Sequence, residues 1–180
     1  MKIIQLSSDQ VNRATRLAEE TLALFAEKQG HYTNDLNSHL RGKLGEIAAS
    51  QVLQEQGYEV KDLWADVKAL SQADIVSRAF KADVKTWNRR FWPEFGRCVA
   101  VGQLPLLAKK ADLVIWCYCA EVVEPSMKVK VVGWNSIEDI ENAPKRLTGP
   151  TGGRLVQNFQ LDDESIRSLD SLPRSTGQLF

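Results

Sequence analysis

The stretch 113–119 (LVIWCYC) narrows the choice of folds more than any other part of the chain. All seven side chains are apolar or aromatic, so a strand built from them presents apolar groups on both faces. Such a strand lies in the middle of a sheet that is covered on both sides. With the following alanine the apolar run reaches eight residues, whereas a membrane-spanning helix needs about 20. We therefore expect a central strand of a layered protein and no integral membrane protein.

Two amphipathic helices are predicted in the first third of the chain, because apolar side chains recur there at intervals of three and four residues. The first covers 8–29, with Ser8 as its N-cap. A polar loop follows at 31–37. The second helix covers about 38–56 and is closed by Gly57.

The second half of the chain changes to short β-favouring segments. Five strands are predicted there: 73–77, 81–87, 97–102, 113–119 and 128–134. A short helix at 103–111 carries Pro105 in its first turn. Beyond the strands we expect a loop at 148–154, an edge strand at 155–159 and a short helix at 162–169.

The order of these elements is helix, helix, three strands, helix, strand, strand. It predicts an α/β or α+β fold around one mixed sheet of about four to five strands flanked by helices. The length of 180 residues suits one domain, 1–180, with a core at about 38–135 and a C-terminal extension at 136–180.

The overall charge is zero, with 23 basic and 23 acidic residues, which excludes a histone-like polycation. The charge is unevenly spread, because residues 78–110 carry eight basic and two acidic side chains. The three cysteines are odd in number and too few for a disulfide scaffold, and the N-terminus turns polar too early for a signal peptide. We expect a cytoplasmic protein.

An acid-x-lysine tripeptide occurs three times and therefore decides nothing by itself. The three copies begin at Glu59, Asp66 and Asp83. In a strand, Asp83 and Lys85 point to the same face. A second acid, Asp74, lies at hairpin distance from Asp83 alone, so two antiparallel strands would bring these carboxylates together. The alternative is a solvated strand face with a weak ion pair.

Glu46 lies on the second helix, beside Gly42 and Gly45. Each glycine costs a helix about 1 kcal/mol relative to alanine. Two such residues in one turn indicate the close approach of another part of the chain or of a ligand. A carboxylate without any function at the rim of the helix is the alternative for Glu46.

These segments together resemble the PD-(D/E)XK nuclease superfamily, which has the restriction-endonuclease-like fold. The similarity covers about residues 38–135 and rests on four motifs: RGKLGEIAAS at 41–50, ADIV at 73–76, KADVKTW at 81–87 and LVIWCYC at 113–119. Two departures are visible. Ala73 replaces the proline of the family name, and Asp83 stands where glutamate is commoner.

The resemblance implies a Mg²⁺- or Mn²⁺-dependent endonuclease that hydrolyses phosphodiester bonds of DNA. It implies four catalytic residues: Glu46, Asp74, Asp83 and Lys85. The implied metal ligands are the three carboxylates and the carbonyl of Val84, which are the hard oxygen donors that Mg²⁺ prefers. A homodimer is expected, because one site of this type cuts one strand. A nuclease-fold module that binds nucleic acid or protein without catalysis is the alternative.

Basic residues interleaved with aromatic residues follow the motif strand, a composition suited to phosphate contacts and base stacking. The candidate DNA-binding residues are Lys81, Arg89, Arg90, Trp92, Arg97 and, by the resemblance, Gln103. The alternative is that the aromatic side chains cover a sheet edge and the arginines remain solvated.

Overall fold

The computed structural model describes residues 1–25, 35–66, 72–120, 126–148 and 155–175. The architecture is mixed α/β, as predicted. The strands are β1 (Lys2–Leu6), β2 (Val60–Asp62), β3 (Ile75–Ser77), β4 (Lys81–Asn88), β5 (Cys98–Ala100), β6 (Leu113–Cys119), β7 (Met127–Ser136), β8 (Lys145–Thr148) and β9 (Val156–Gln160). The α-helices are α1 (Ser8–Phe25), α2 (Leu36–Glu55), α3 (Trp92–Phe95), α4 (Leu104–Lys110) and α5 (Ile137–Glu141).

A six-stranded mixed sheet in the order β1-β7-β6-β4-β3-β2 forms the centre of the fold, where four to five strands were expected. Strand β6 lies between β7 and β4, and its apolar side chains are buried on both faces. The pair β4 and β6 is parallel, while the other neighbours are antiparallel. The prediction of a doubly covered central strand is therefore confirmed.

The prediction that the strand at 97–102 belongs to one mixed sheet is wrong. Strand β5 lies in a second, three-stranded sheet of order β5-β9-β8, and the place beside β4 belongs to β6. After β4, a turn and α3 lead the chain away from the first sheet. Strand β2 pairs with β3 and forms an antiparallel meander with β3 and β4.

Other differences lie near the termini. Strand β1 was not predicted. Strand β9 is the centre of its sheet rather than an edge. No helix forms at 162–169, where the side chain of Asp162 accepts a hydrogen bond from the backbone N–H of Ser165 and closes a turn. The predicted loop at 148–154 lies outside the described residues from 149 onward.

The helix ends follow local capping chemistry. Ser7, rather than Ser8, caps α1, because its hydroxyl accepts from the N–H of Gln10 and its own N–H donates to the Gln10 side chain. Asp35 caps α2, because its carboxylate accepts from the N–H of Asn37, so this helix begins at Leu36, inside the predicted loop. Gly57 has φ +84° and ends α2 as predicted. The predicted end of α1 lies in 26–34, outside the described residues.

Two apolar cores cover the two faces of the six-stranded sheet. Helices α1 and α2 pack on one face, over the side chains of Val84, Ile115 and Cys117. On the other face α4, α5 and the small sheet pack against Val114 and Trp116. The indole N–H of the fully buried Trp116 donates to the side chain of Asn135 at 2.9 Å. All three cysteines are buried free thiols.

No helix in the described parts of the chain has the combination of length and apolar character that a bilayer span requires.

Helix α2 lies very close to the sheet at Gly45. A Cβ atom added there would lie 1.7 Å from Oγ1 of Thr86 on β4. This close approach explains why position 45 holds a glycine, which has no Cβ atom. Gly42 has room for a side chain, because a Cβ atom added there would lie 4.0 Å from Oε1 of Glu46, an ordinary van der Waals contact.

We expect Gly45→Ala to lower the free energy of unfolding by about 1–3 kcal/mol, since Thr86 is short and stiff and cannot move aside. Gly42→Ala is the matched control, and it should be neutral or stabilise by up to about 1 kcal/mol through helix propensity. Urea unfolding followed by circular dichroism measures both. Equal stability of the two variants would contradict the close packing of α2 against β4.

Candidate active site

Glu46, Asp74, Asp83 and Lys85 all line one cavity of about 220 Å³ between α2 and the β3–β4 hairpin. The cavity has room for several water molecules, each of about 30 Å³ in the liquid. Glu46 comes from the middle of α2, and Asp74 precedes β3 directly. The structure thus brings together all four residues that the resemblance implies.

The hairpin register explains how the two aspartates meet. Ile75 pairs with Ala82, so Asp74 stands opposite Asp83. The N–H of Asp74 donates to the carbonyl of Ala82 at 3.0 Å, and its carboxylate accepts from the N–H of Val84 at 2.7 Å. Because alternate residues of a strand turn their backbone groups to the same side, the Val84 carbonyl also points toward the β3 side, past the end of β3.

Asp83 is the most deeply buried of the three acids, with only 2 % of its side chain exposed. Its Oδ2 atom lies 2.8 Å from Nζ of Lys85, and its Oδ1 atom contacts Nζ of Lys110. Burial opposes the charge on Asp83, but the two ammonium groups hold the pKa of this carboxyl below its usual range. Asp83 therefore stays ionised between two lysines.

The other two carboxyls are harder to ionise. Burial raises the pKa of Glu46, and Lys43, whose Nζ lies 2.8 Å from Oε2 of Glu46, opposes this rise. Burial, together with the charges of Asp83 and Glu46, raises the pKa of Asp74 to about 8. This shift favours the protonated form of Asp74, which reduces the repulsion within the acidic cluster.

The chemistry of the donors fits a hard divalent cation. Four acids, Glu46, Asp66, Asp74 and Asp83, line the cavity together with Val84, and carboxylate and carbonyl oxygens are the ligands typical of Mg²⁺ and Mn²⁺. Within the described residues, however, no group of three or more His, Cys, Asp and Glu side chains stands in a metal-binding arrangement. The positive charges next to the carboxylates belong to the lysines at 43, 85 and 110.

Sequence reasoning missed two of these lysines. Lys43 lies one helical turn before Glu46, a spacing at which oppositely charged side chains meet, so its pairing was readable from the sequence. Lys110 ends α4, and 27 positions separate it from Asp83. No local pattern joins these two residues. His39, from the first turns of α2, also lines the cavity.

The candidate DNA-binding residues are scattered. Lys81 is exposed in a neighbouring cavity that shares Lys110 with the first. Arg89 and Arg90 are exposed in the turn that follows β4. Gln103 is exposed just before α4, about 10 Å along that helix from Lys110, and it does not line the acidic cavity.

Trp92 and Arg97 are buried in the protein, each with about 7 % of the residue exposed. The Arg97 guanidinium stacks on the Trp92 ring at 5.1 Å and donates to the carbonyls of Leu161 and Pro93 and to the Asp163 carboxylate. These contacts tie β5 to the segment after β9. Trp92 and Arg97 are therefore structural in this arrangement and unavailable to DNA.

The acid-x-lysine copy that begins at Glu59 lies at the opposite edge of the meander. Glu59 pairs there with the exposed Arg78 at 2.9 Å. The copy at Asp83 meets further acids, and Asp66, which begins the third copy, lines the same cavity. Comparisons of the chain with protein-family models, with curated proteins and with solved structures each found no match.

Proposed function

We propose that the protein is a metal-dependent nuclease with a restriction-endonuclease-like core that hydrolyses phosphodiester bonds of DNA. The observation that carries this proposal is the meeting of Glu46, Asp74, Asp83 and Lys85 at one cavity. The order of elements supports it, because α2 precedes an antiparallel β2-β3-β4 meander, and α4 leads from there to β6, parallel to β4.

A phosphodiester resists hydrolysis because its negative charge repels nucleophiles. Glu46, Asp74, Asp83 and the Val84 carbonyl would hold a Mg²⁺ or Mn²⁺ ion, which supplies charge neutralisation and an acidified water when bound. The chain itself supplies Lys85, which lines the cavity and keeps about one-third of its side chain exposed. That ammonium donates to a phosphate oxygen and stabilises the charge that develops during hydrolysis.

The experiment that tests this function is incubation of the purified protein with supercoiled plasmid, branched DNA, single-stranded DNA and RNA. Each substrate is tested with Mg²⁺, with Mn²⁺ and with EDTA. We expect nicking or cleavage of at least one DNA substrate with a divalent cation and none with EDTA. Activity that persists in EDTA, or no cleavage of any substrate, would contradict the proposal.

The lysine pairs favour a second candidate, a catalytically silent module that binds nucleic acid. Lys43, Lys85 and Lys110 already pair with Glu46 and Asp83, two of the four acids that line the cavity, as a protein that no longer binds a cation would require. This candidate predicts binding of DNA without cleavage and no change of melting temperature when Mg²⁺ is added.

Within the positively charged residues 78–110, the turn after β4 is best suited to phosphate contacts. Arg89 lines a cavity with Lys128, Lys130 and Tyr118. These residues stand near the carboxyl-terminal end of β4, about 10–20 Å along the strand from Asp83. A nucleic-acid backbone that crosses the active-site cavity could thus also reach this positive surface.

We expect the double variant Arg89→Ala/Arg90→Ala to weaken DNA binding and to reduce the slope of log K against log salt by up to about 1.8, because each lost phosphate contact removes about 0.9. The matched control is Arg16→Ala/Arg78→Ala, which removes the same charge from exposed arginines that pair with Glu20 and Glu59. Fluorescence anisotropy at several salt concentrations measures both. An equal slope for the two double variants would exclude the turn after β4 from the DNA surface.

A further inference from the structure

Lys110 stands out among the lysines of the cavity because it comes from a different layer of the protein. It ends α4, yet its ammonium contacts Oδ1 of Asp83, while Lys85 holds Oδ2 of the same carboxylate. Both oxygens of the central acid are therefore engaged by lysines. A divalent cation that binds Asp83 must compete with at least one of these contacts.

The three lysines differ in how firmly they are held. Lys43 is buried and has a second partner, because its Nζ donates to the carbonyl of Trp64 at 3.0 Å as well as to Glu46. Lys110 keeps about a quarter of its side chain exposed and lines both the acidic cavity and the neighbouring one. Its long aliphatic stem places the ammonium within reach of both cavities.

We propose that Lys110 serves as the counter-ion of Asp83 until a divalent cation binds. The cation then displaces the Lys110 ammonium from Asp83, and this ammonium contacts a phosphate of the substrate. Lys110 thereby stabilises the acidic cluster before the cation binds and lowers the affinity for the cation. The released ammonium lies at the mouth of the cavity, where a polyanionic substrate approaches. This inference rests on the proposed nuclease function.

The test compares Lys110→Met with Lys109→Met, which removes the same charge from the exposed neighbouring lysine. Cation affinity is measured by titrating Mg²⁺ against the melting temperature, a signal that does not depend on catalysis. We expect the half-saturating Mg²⁺ concentration of Lys110→Met to fall about fivefold, the size expected when a partly exposed ion pair no longer competes. Lys109→Met should keep the wild-type cation affinity.

The second measurement is the cleavage rate at saturating Mg²⁺ and saturating DNA. We expect Lys110→Met to cleave at least about tenfold more slowly than the wild type, because one charged donor to the phosphate is missing. Tighter binding of the cation together with slower cleavage separates this role from a merely structural one, which would weaken both. Lys110→Gln, which keeps an N–H donor, should show the same two changes and serves as a second variant with milder effects on folding.

An unchanged or weaker cation affinity in both Lys110 variants would overturn the inference, as would an affinity gain of equal size in Lys109→Met. An unchanged cleavage rate would overturn the phosphate contact. Failure of the proposed function looks different, because the wild-type protein would then neither cleave DNA nor respond to Mg²⁺. If the wild type cleaves DNA with Mg²⁺ and the Lys110 variants behave like Lys109→Met, only the role of Lys110 is refuted.

Discussion

Asp83→Asn is expected to reduce Mg²⁺-dependent cleavage at least about a thousandfold, because metal catalysis contributes several kcal/mol to such reactions. Asparagine keeps the shape of the side chain but removes the charge that lies closest to Lys85 and Lys110. The variant should also lose its thermal response to the cation. For the wild type, Mg²⁺ at about 100 times its dissociation constant adds ~2.7 kcal/mol, or roughly 5–10 °C in melting temperature for a chain of this size.

The matched control for this prediction is Glu59→Gln, which neutralises the acid of another acid-x-lysine copy at the far edge of the meander. It should keep both the cleavage rate and the response to Mg²⁺. Circular dichroism of both variants checks that the fold is retained. Cleavage by Asp83→Asn at the wild-type rate would remove Asp83 from the catalytic site and leave the nuclease proposal without its central residue.

Lys85→Met is expected to lower the cleavage rate about a hundredfold or more while the protein still binds the cation. The side chain of Lys85 reaches the cavity from the face of β4 that also carries Asp83, and methionine preserves its length but not its charge. Mg²⁺ should therefore still raise the melting temperature of this variant. Rates of plasmid nicking and melting curves with and without Mg²⁺ measure the two effects.

Lys61→Met provides the comparison for Lys85→Met, since Lys61 is the exposed lysine of the copy that begins at Glu59. Wild-type cleavage by Lys61→Met together with loss in Lys85→Met would locate the effect in the cavity. Loss of the thermal response to Mg²⁺ in Lys85→Met would contradict the separate roles given to Asp83 and Lys85. Equal rates for both lysine variants would refute a catalytic role of Lys85.

Much of the first sheet could be predicted because its signals are local. Strand β6 carries an apolar side chain at every position, and such a run is stable only where both faces are covered. The hairpin of β3 and β4 follows from two short β-favouring segments with a tight connection, and this spacing brings Asp74 opposite Asp83. Gly45 indicated a close approach, and Thr86 provides it.

The errors arose where a segment can serve in more than one place. Strand β5 has the same short β pattern as the strands of the meander, yet it pairs with β9, which lies nearly 60 residues later in the chain. Arg97 and Trp92 read as a nucleic-acid surface, but they are buried between β5 and the segment after β9. A basic or aromatic side chain gives no sign of its burial until the partners that cover it are known.

The amino-acid order alone determined the two long helices, the central strands and which acids come from neighbouring strands, because hydrophobic period and hairpin spacing act over a few residues. Only the tertiary structure decided that Lys110 also meets these acids. Lys110 reaches Asp83 because the crossover through α4 returns the chain to the end of the sheet where the parallel strands β4 and β6 both begin. Charges in such a cavity interact through space, and their energy depends on distance and burial rather than on separation along the chain.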